Sequence, residues 1–204
     1  MKENNWFDPF HLQSQLSEDE SRIQQNVREF CNKELRPSVV EMNKKHQFNL
    51  ELYPKFGSLG VLGQTIKSHG GSGTSNLAYG LVAYEFEKID SSYRSSISVQ
   101  SSLVIHPISE FGSKDQKDKY LPELINGKKI GCFGLTESEA GSDPSSMKTT
   151  FKKTKDGYIL SGSKNWITNA PIADIFIIWA LEESKDHKSI QGFILEKNLN
   201  GLKT

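Results

Sequence analysis

Cysteine is scarce in this chain of 204 residues, and Cys31 and Cys132 are the only two. They lie far apart and belong to no C-x-x-C pair, which speaks against a disulfide framework and a thiolate zinc site and fits a reducing compartment. An excess of charge is also missing. Lys and Arg number 25, Asp and Glu number 25, and the formal net charge is zero. No basic stretch is interleaved with aromatics, so a nucleic-acid surface is not expected; a small molecule or another protein is the expected partner. The longest apolar run falls far short of a membrane span, and Met1 to Trp6 carry neither a secretory apolar core nor an Arg-rich presequence. No membrane partner is expected either. Hydrophobic residues make up 35% of the chain before its 16 glycines are added, slightly lean for a globular protein. Length alone leaves one domain or two small ones open.

What is there begins with helices. Ser17-Glu-Asp-Glu20 has the S-x-x-E form of a capping box and precedes Ile23, Val27, Phe30, Cys31 and Leu35 at helical spacing. A second helix opens near Pro37, with Val39, Val40 and Met42 on its buried side. A third runs through Leu52 and Phe56 and gives way at Gly57, Gly60 and Gly63. Those glycines lack the strand and βαβ setting of a dinucleotide fingerprint, so they read as packing and turn positions. His69 to Ser75 is a loop, and Leu77 to about Ile108 supplies two helices buried on several sides. Ser113-Lys-Asp-Gln116 is a second capping box, opening a helix that buries Tyr120, Leu121 and Leu124 and stops at Gly127. Lys114 to Lys119 alternates acid and base as a solvated face.

At Lys129 the texture changes. Short runs at 130–135, 149–154, 158–160, 175–181 and 192–195 are separated by turn residues, and Lys155-Asp156-Gly157 has the form of a tight hairpin turn. The expected division is a helical domain over 1–129 and a β domain over 130–204. Gly201 to Thr204 brings no cap or turn that would finish a β domain, so truncation is expected.

Three segments carry chemistry. Cys132-Phe-Gly-Leu-Thr-Glu137, followed by Ala140-Gly-Ser-Asp143, leads a strand into a small-residue turn whose hydroxyls and N–H groups suit an anionic or carbonyl-rich ligand. Alone it is equally well an ordinary strand and turn. Lys164-Asn-Trp-Ile-Thr-Asn169 sets an indole among polar residues. That indole is either a core tryptophan or the wall of a flat-ring site. Arg94 stands in a helix otherwise built of small and apolar residues. It can pair with Glu87, seven residues earlier and on the same face of a continuous helix, or grip a substrate carboxylate with Ser95 beside it. Those two readings are compatible. His106, before Pro107 at an apolar helix end, reads as structural and has no assigned role.

The two motifs, in this order and after an all-helical segment, resemble the acyl-CoA dehydrogenase family, and the resemblance runs from the first helix to the Gly192–Glu196 strand and Gly201-Leu202. It implies an α+β fold: an N-terminal all-α helical bundle, then an antiparallel β-barrel-like domain, with the family's C-terminal helical domain missing here. It implies FAD as cofactor, with Phe133, Leu135, Thr136 and Ser142 on one side of the flavin and Trp166, Ile167 and Thr168 on the other; Ser142 also meets the acyl-CoA. Ser138-Glu139 departs from the family here, since many members have proline followed by glycine or asparagine at these positions. The stretch from Asp90 to Val104 resembles the glutaryl-CoA dehydrogenase branch, which implies that Arg94 and Ser95 hold a distal carboxylate and that Glu87 positions Arg94. The full-length enzyme would then convert glutaryl-CoA to crotonyl-CoA and CO2 and pass electrons to an electron-transfer flavoprotein. Another acyl-CoA dehydrogenase or oxidase, or a non-catalytic flavin-binding remnant, is the alternative. The resemblance places the glutamate base beyond Thr204, so no catalytic residue is assigned in this chain, which is expected to be inactive alone. It further implies a homotetramer in the bacterial cytoplasm or, for a processed chain, the mitochondrial matrix.

Overall fold

The computed structural model describes residues 8–183 and 189–204; the presequence reading of residues 1–6 lies outside them. Helix α1 (Glu18–Phe30) opens on the expected capping box, in which Glu20 N–H donates to Ser17 Oγ at 3.3 Å and Ser17 N–H donates to Glu20 Oε2 at 3.1 Å. It widens into a π-helical stretch, Cys31–Leu35, and buries Val27, Cys31 and Leu35. Helix α2 (Val39–Lys45) corrects the pattern reading, because Val40 is 63% exposed while Val39 and Met42 are half-buried. Neighbouring residues on a helix point about 100° apart, so a two-turn helix touching the core along one line cannot bury both valines. Helix α3 (Leu52–Ser58) buries Leu52, Tyr53 and Phe56 and, against expectation, includes Gly57. A Cβ at Gly57 would lie 2.3 Å from the Asn126 backbone, so close helix packing needs the glycine there.

Helix α4 (Asn76–Glu87) and helix α5 (Ser91–Ser98) follow the loop; α5 continues as a π-helical stretch, Val99–Ile105, into α6 (His106–Phe111). His106 is exposed, which removes the structural reading of a packed histidine. Helix α7 (Lys114–Ile125) carries the second capping box and buries Tyr120, Leu121 and Leu124. Edge-to-face rings of Phe30, Phe56 and Phe86 link α1, α3 and α4 in the core. Among the described residues, no helix is long and apolar enough to cross a membrane.

Among the described residues five strands follow: β1 (Gly131–Gly134), β2 (Thr150–Thr154), β3 (Gly157–Ser161), β4 (Ile175–Glu182) and β5 (Ile190–Glu196). The expected hairpin is present, with Thr154 opposite Gly157 and Lys155-Asp156 at the tip. The sheet is mixed, which corrects the antiparallel expectation. β5 pairs antiparallel along β4, whereas β1 and β2 run parallel to β4, with Gly131 opposite Ile175 and Thr150 opposite Leu181. Parallel neighbours require a long crossover, and turn signals in the sequence report only hairpins. A concavity of about 1110 Å³ lies beside the sheet, and its lining includes Tyr158, Lys164, Ile167 and Phe193.

Helices and sheet share a core, since Ile175 and Ile177 of β4 pack into the cluster built by the helices. Gln100 sits at the junction, fully buried. Its Nε2 donates to the carbonyls of Leu124 and Lys129, each at 2.9 Å, and its Oε1 accepts the Gly131 N–H at 2.7 Å. The Lys114–Lys119 face of α7 is solvated as expected, with only Lys117 half-buried; a second link to the sheet forms at its edge, where Lys119 and the Tyr120 hydroxyl both donate to Glu196 of β5, at 2.7 and 2.9 Å.

Candidate functional site

Beyond Gly134 the chain leaves β1, and Glu137 and Ala140 close a two-residue turn through mutual backbone hydrogen bonds of 3.0 and 3.3 Å. Ser138-Glu139 therefore forms a tight turn without proline or glycine. Glu137 itself points inward, its side chain only 7% exposed. Its Oε2 accepts the Lys148 N–H at 2.6 Å, and its Oε1 accepts the Thr149 N–H at 3.0 Å and Lys164 Nζ at 2.7 Å. Burial alone would raise its pKa; hydrogen bonds from Lys164, Thr149 and the two amides outweigh that and hold it down at about 2. Past the turn, Gly141, Ser142 and Asp143 are exposed, and Asp143 caps a short 3₁₀ turn by accepting the Ser145 N–H at 3.1 Å.

The second motif is pinned to the first. Lys164 Nζ donates to the Leu135 carbonyl at 3.1 Å, and Asn165 N–H donates to the Thr136 carbonyl at 2.9 Å. Trp166 is 91% exposed and sits at φ 60°, so the core-tryptophan reading is excluded. A left-handed backbone costs a bulky residue roughly 1–2 kcal/mol, and here no burial of the indole offsets it. Ile167 is half-buried against Cys132, Ala173 and Phe176. Asn169 adopts φ 69° and joins the helices to the sheet: its Nδ2 donates to the Gly131 carbonyl at 3.2 Å, and its Oδ1 accepts Ser96 Oγ–H at 3.0 Å.

Arg94 pairs with Glu87 through Nε at 2.6 Å, but not along one continuous helix. Asp90 breaks the run with an extended backbone and caps α5 by accepting the Ser92 N–H at 2.9 Å. The pair spans the corner between the last residue of α4 and the first turn of α5. Among the described residues, the terminal guanidinium nitrogens of Arg94 have no hydrogen-bond partner, and the side chain is 38% exposed. Ser95 is next to it, with Oγ 3.5 Å from Thr168 Oγ1, so the arginine's helix and the Trp166 segment meet.

The structure thus brings Leu135, Thr136, Trp166 and Thr168 into two tied segments, with Arg94 and Ser95 at their helical border. Phe133 stands apart from them, its ring edge-on to Trp179 at 6.0 Å and packed toward the helical core. Among the described residues, no hydrogen bond ties Ser142 to the other candidates. Glu137 and Lys164 carry no role in the sequence reading, although both lie in the quoted motifs. One carboxylate closing the Cys132–Glu137 run and one ammonium opening the second motif were the available signal. Their separation of 27 positions hid the pairing.

Residues 17–128 match the acyl-CoA dehydrogenase N-terminal domain, and residues 132–204 match the acyl-CoA dehydrogenase middle domain. The chain belongs to the acyl-CoA dehydrogenase family. A short-chain-specific acyl-CoA dehydrogenase of Clostridium acetobutylicum is 36% identical over 92% of this chain and 50% of its own length. The mitochondrial isovaleryl-CoA dehydrogenase of Pongo abelii is 38% identical over 93% of this chain and 46% of its own. Among solved structures, a glutaryl-CoA dehydrogenase from Mycobacterium smegmatis in complex with FADH2 is 39% identical, with a TM-score of 0.90 over 94% of this chain and 49% of that one. The chain spans about half the length of these acyl-CoA dehydrogenases.

Proposed function

We propose that this chain is the N-terminal helical domain (1–129) and middle domain (130–204) of an FAD-dependent acyl-CoA dehydrogenase whose substrate is glutaryl-CoA. The observation that carries the substrate reading is the half-satisfied Arg94. Glu87 holds the guanidinium from the Nε side, and its terminal nitrogens are left to form a planar fork for a carboxylate. Ser95 offers a hydroxyl beside it. FAD fits what the chain presents. Leu135, Thr136 and Ser142 on one segment and Trp166, Ile167 and Thr168 on the other combine hydroxyl groups with an indole exposed at strained backbone, a combination expected where a side chain awaits a ligand. Phe133 backs this surface against Trp179. When bound, FAD supplies the two-electron oxidation of the thioester's Cα–Cβ bond.

The contributions of this chain are binding and orientation: Arg94 and Ser95 fix the distal carboxylate, and Glu87 keeps Arg94 from rotating away. The α-proton is assigned to a glutamate beyond Thr204, and the electrons go on to an electron-transfer flavoprotein. The test uses the full-length enzyme. Arg94→Gln removes a charge-assisted hydrogen bond of about 1.5–3 kcal/mol, so kcat/KM for glutaryl-CoA should fall roughly 10- to 150-fold. The value for butyryl-CoA should change little. An unchanged glutaryl-to-butyryl ratio would refute the glutaryl reading in favour of a monocarboxylic acyl-CoA substrate, which the short-chain and isovaleryl relatives support.

A further inference from the structure

The two flavin-facing segments are not strands paired with each other; a single backbone hydrogen bond, Asn165 N–H to the Thr136 carbonyl, and a buried ion pair hold them together. Glu137 and Lys164 have side chains 7% exposed each, and their charged atoms are 2.7 Å apart. Every strong contact is used. The carboxylate accepts the Lys148 and Thr149 amides in addition to the ammonium, and the ammonium donates to the Leu135 carbonyl and approaches Met147 Sδ at 3.8 Å. One pair thereby joins segments 135–137, 147–149 and 163–165.

As a source of stability, such a pair is a poor choice. Desolvating two charges costs several kcal/mol per ion, and well-packed apolar residues often do as well. What apolar residues cannot reproduce is the directional hold on the Leu135 carbonyl and two backbone amides. We propose that Glu137 and Lys164 are positioning residues for the flavin, fixing the Leu135–Thr136 segment against the Trp166–Thr168 segment. This rests on the flavin reading given above.

The test compares Glu137→Gln, Lys164→Met and the double variant. Each single variant strands a buried partner and lowers the thermal midpoint. The double variant has no unpaired charge and regains most of that loss. If the pair positions the flavin, full-length double variant still binds FAD at least about tenfold more weakly than wild type, with altered fine structure in the visible flavin band. Wild-type affinity and spectrum in the double variant would overturn the proposal. So would a double variant as destabilised as the singles, since the pair would then be a plain structural element.

Full-length wild type that takes up no FAD would sink the flavin reading instead. The positioning claim is then decided on the 204-residue chain by amide hydrogen exchange. The Lys148, Thr149 and Asn165 amides should exchange at least about tenfold faster in the double variant, with Val82 and Leu121 unchanged. Undiminished protection at those three amides refutes the clamp.

Discussion

Replacing Gln100 by leucine tests the junction between helices and sheet. The volume is nearly kept, so no large cavity opens, and the change is one of hydrogen bonding. The Lys129 carbonyl, part-buried, and the Gly131 N–H, buried, lose their partner, while the Leu124 carbonyl still accepts the Gly127 N–H at 3.3 Å. Each stranded buried group costs about 1–3 kcal/mol. Burying leucine in place of an amide returns part of this, which leaves a net loss of about 2–4 kcal/mol. Urea unfolding followed by far-UV circular dichroism at pH 7 should show the midpoint falling by roughly 1–2 M with an unchanged slope, for a slope of about 2 kcal/mol/M. Gln100→Glu should be worse than leucine, because it sets a carboxylate against two carbonyls. A loss below about 1 kcal/mol for leucine, or a glutamate variant more stable than the leucine variant, would refute the hydrogen-bond accounting.

Two further outcomes follow from the motif segments. Glu137 has a folded pKa of about 2 against an ordinary 4.5; being depressed, it contributes stability that is complete above about pH 4.5 and lost as pH falls through about 2. The linked contribution is on the order of 3 kcal/mol. The difference in urea midpoint between wild type and Glu137→Gln should therefore shrink across that window, and a difference independent of pH would contradict it. Trp166→Gly removes an exposed side chain and a left-handed strain of roughly 1–2 kcal/mol, partly offset by the greater entropy of the unfolded glycine chain. Its thermal midpoint should match or exceed that of wild type. A destabilisation above about 1 kcal/mol would mean that the indole packs against the protein.

Much of this protein was legible because its signals are local. A capping box spans three residues, a hairpin tip two, and a helical stripe repeats within a turn, so Ser17, Ser113 and Lys155-Asp156 could be placed without knowing what they pack against. The two motifs and Arg94 also stood out as residue types unusual for their surroundings. Several structural questions those residues left open were decided by contacts between distant segments. Whether Trp166 was core or surface, whether Glu87 reached Arg94 along a helix or across a corner, and whether the sheet was antiparallel or mixed all depended on such contacts. Gln100, Asn169 and the Glu137–Lys164 pair were invisible for the same reason. A hydrogen bond or buried ion pair is decided by proximity in space, and no local periodicity encodes which carbonyl or ammonium, dozens of residues away, the fold will bring within 3 Å.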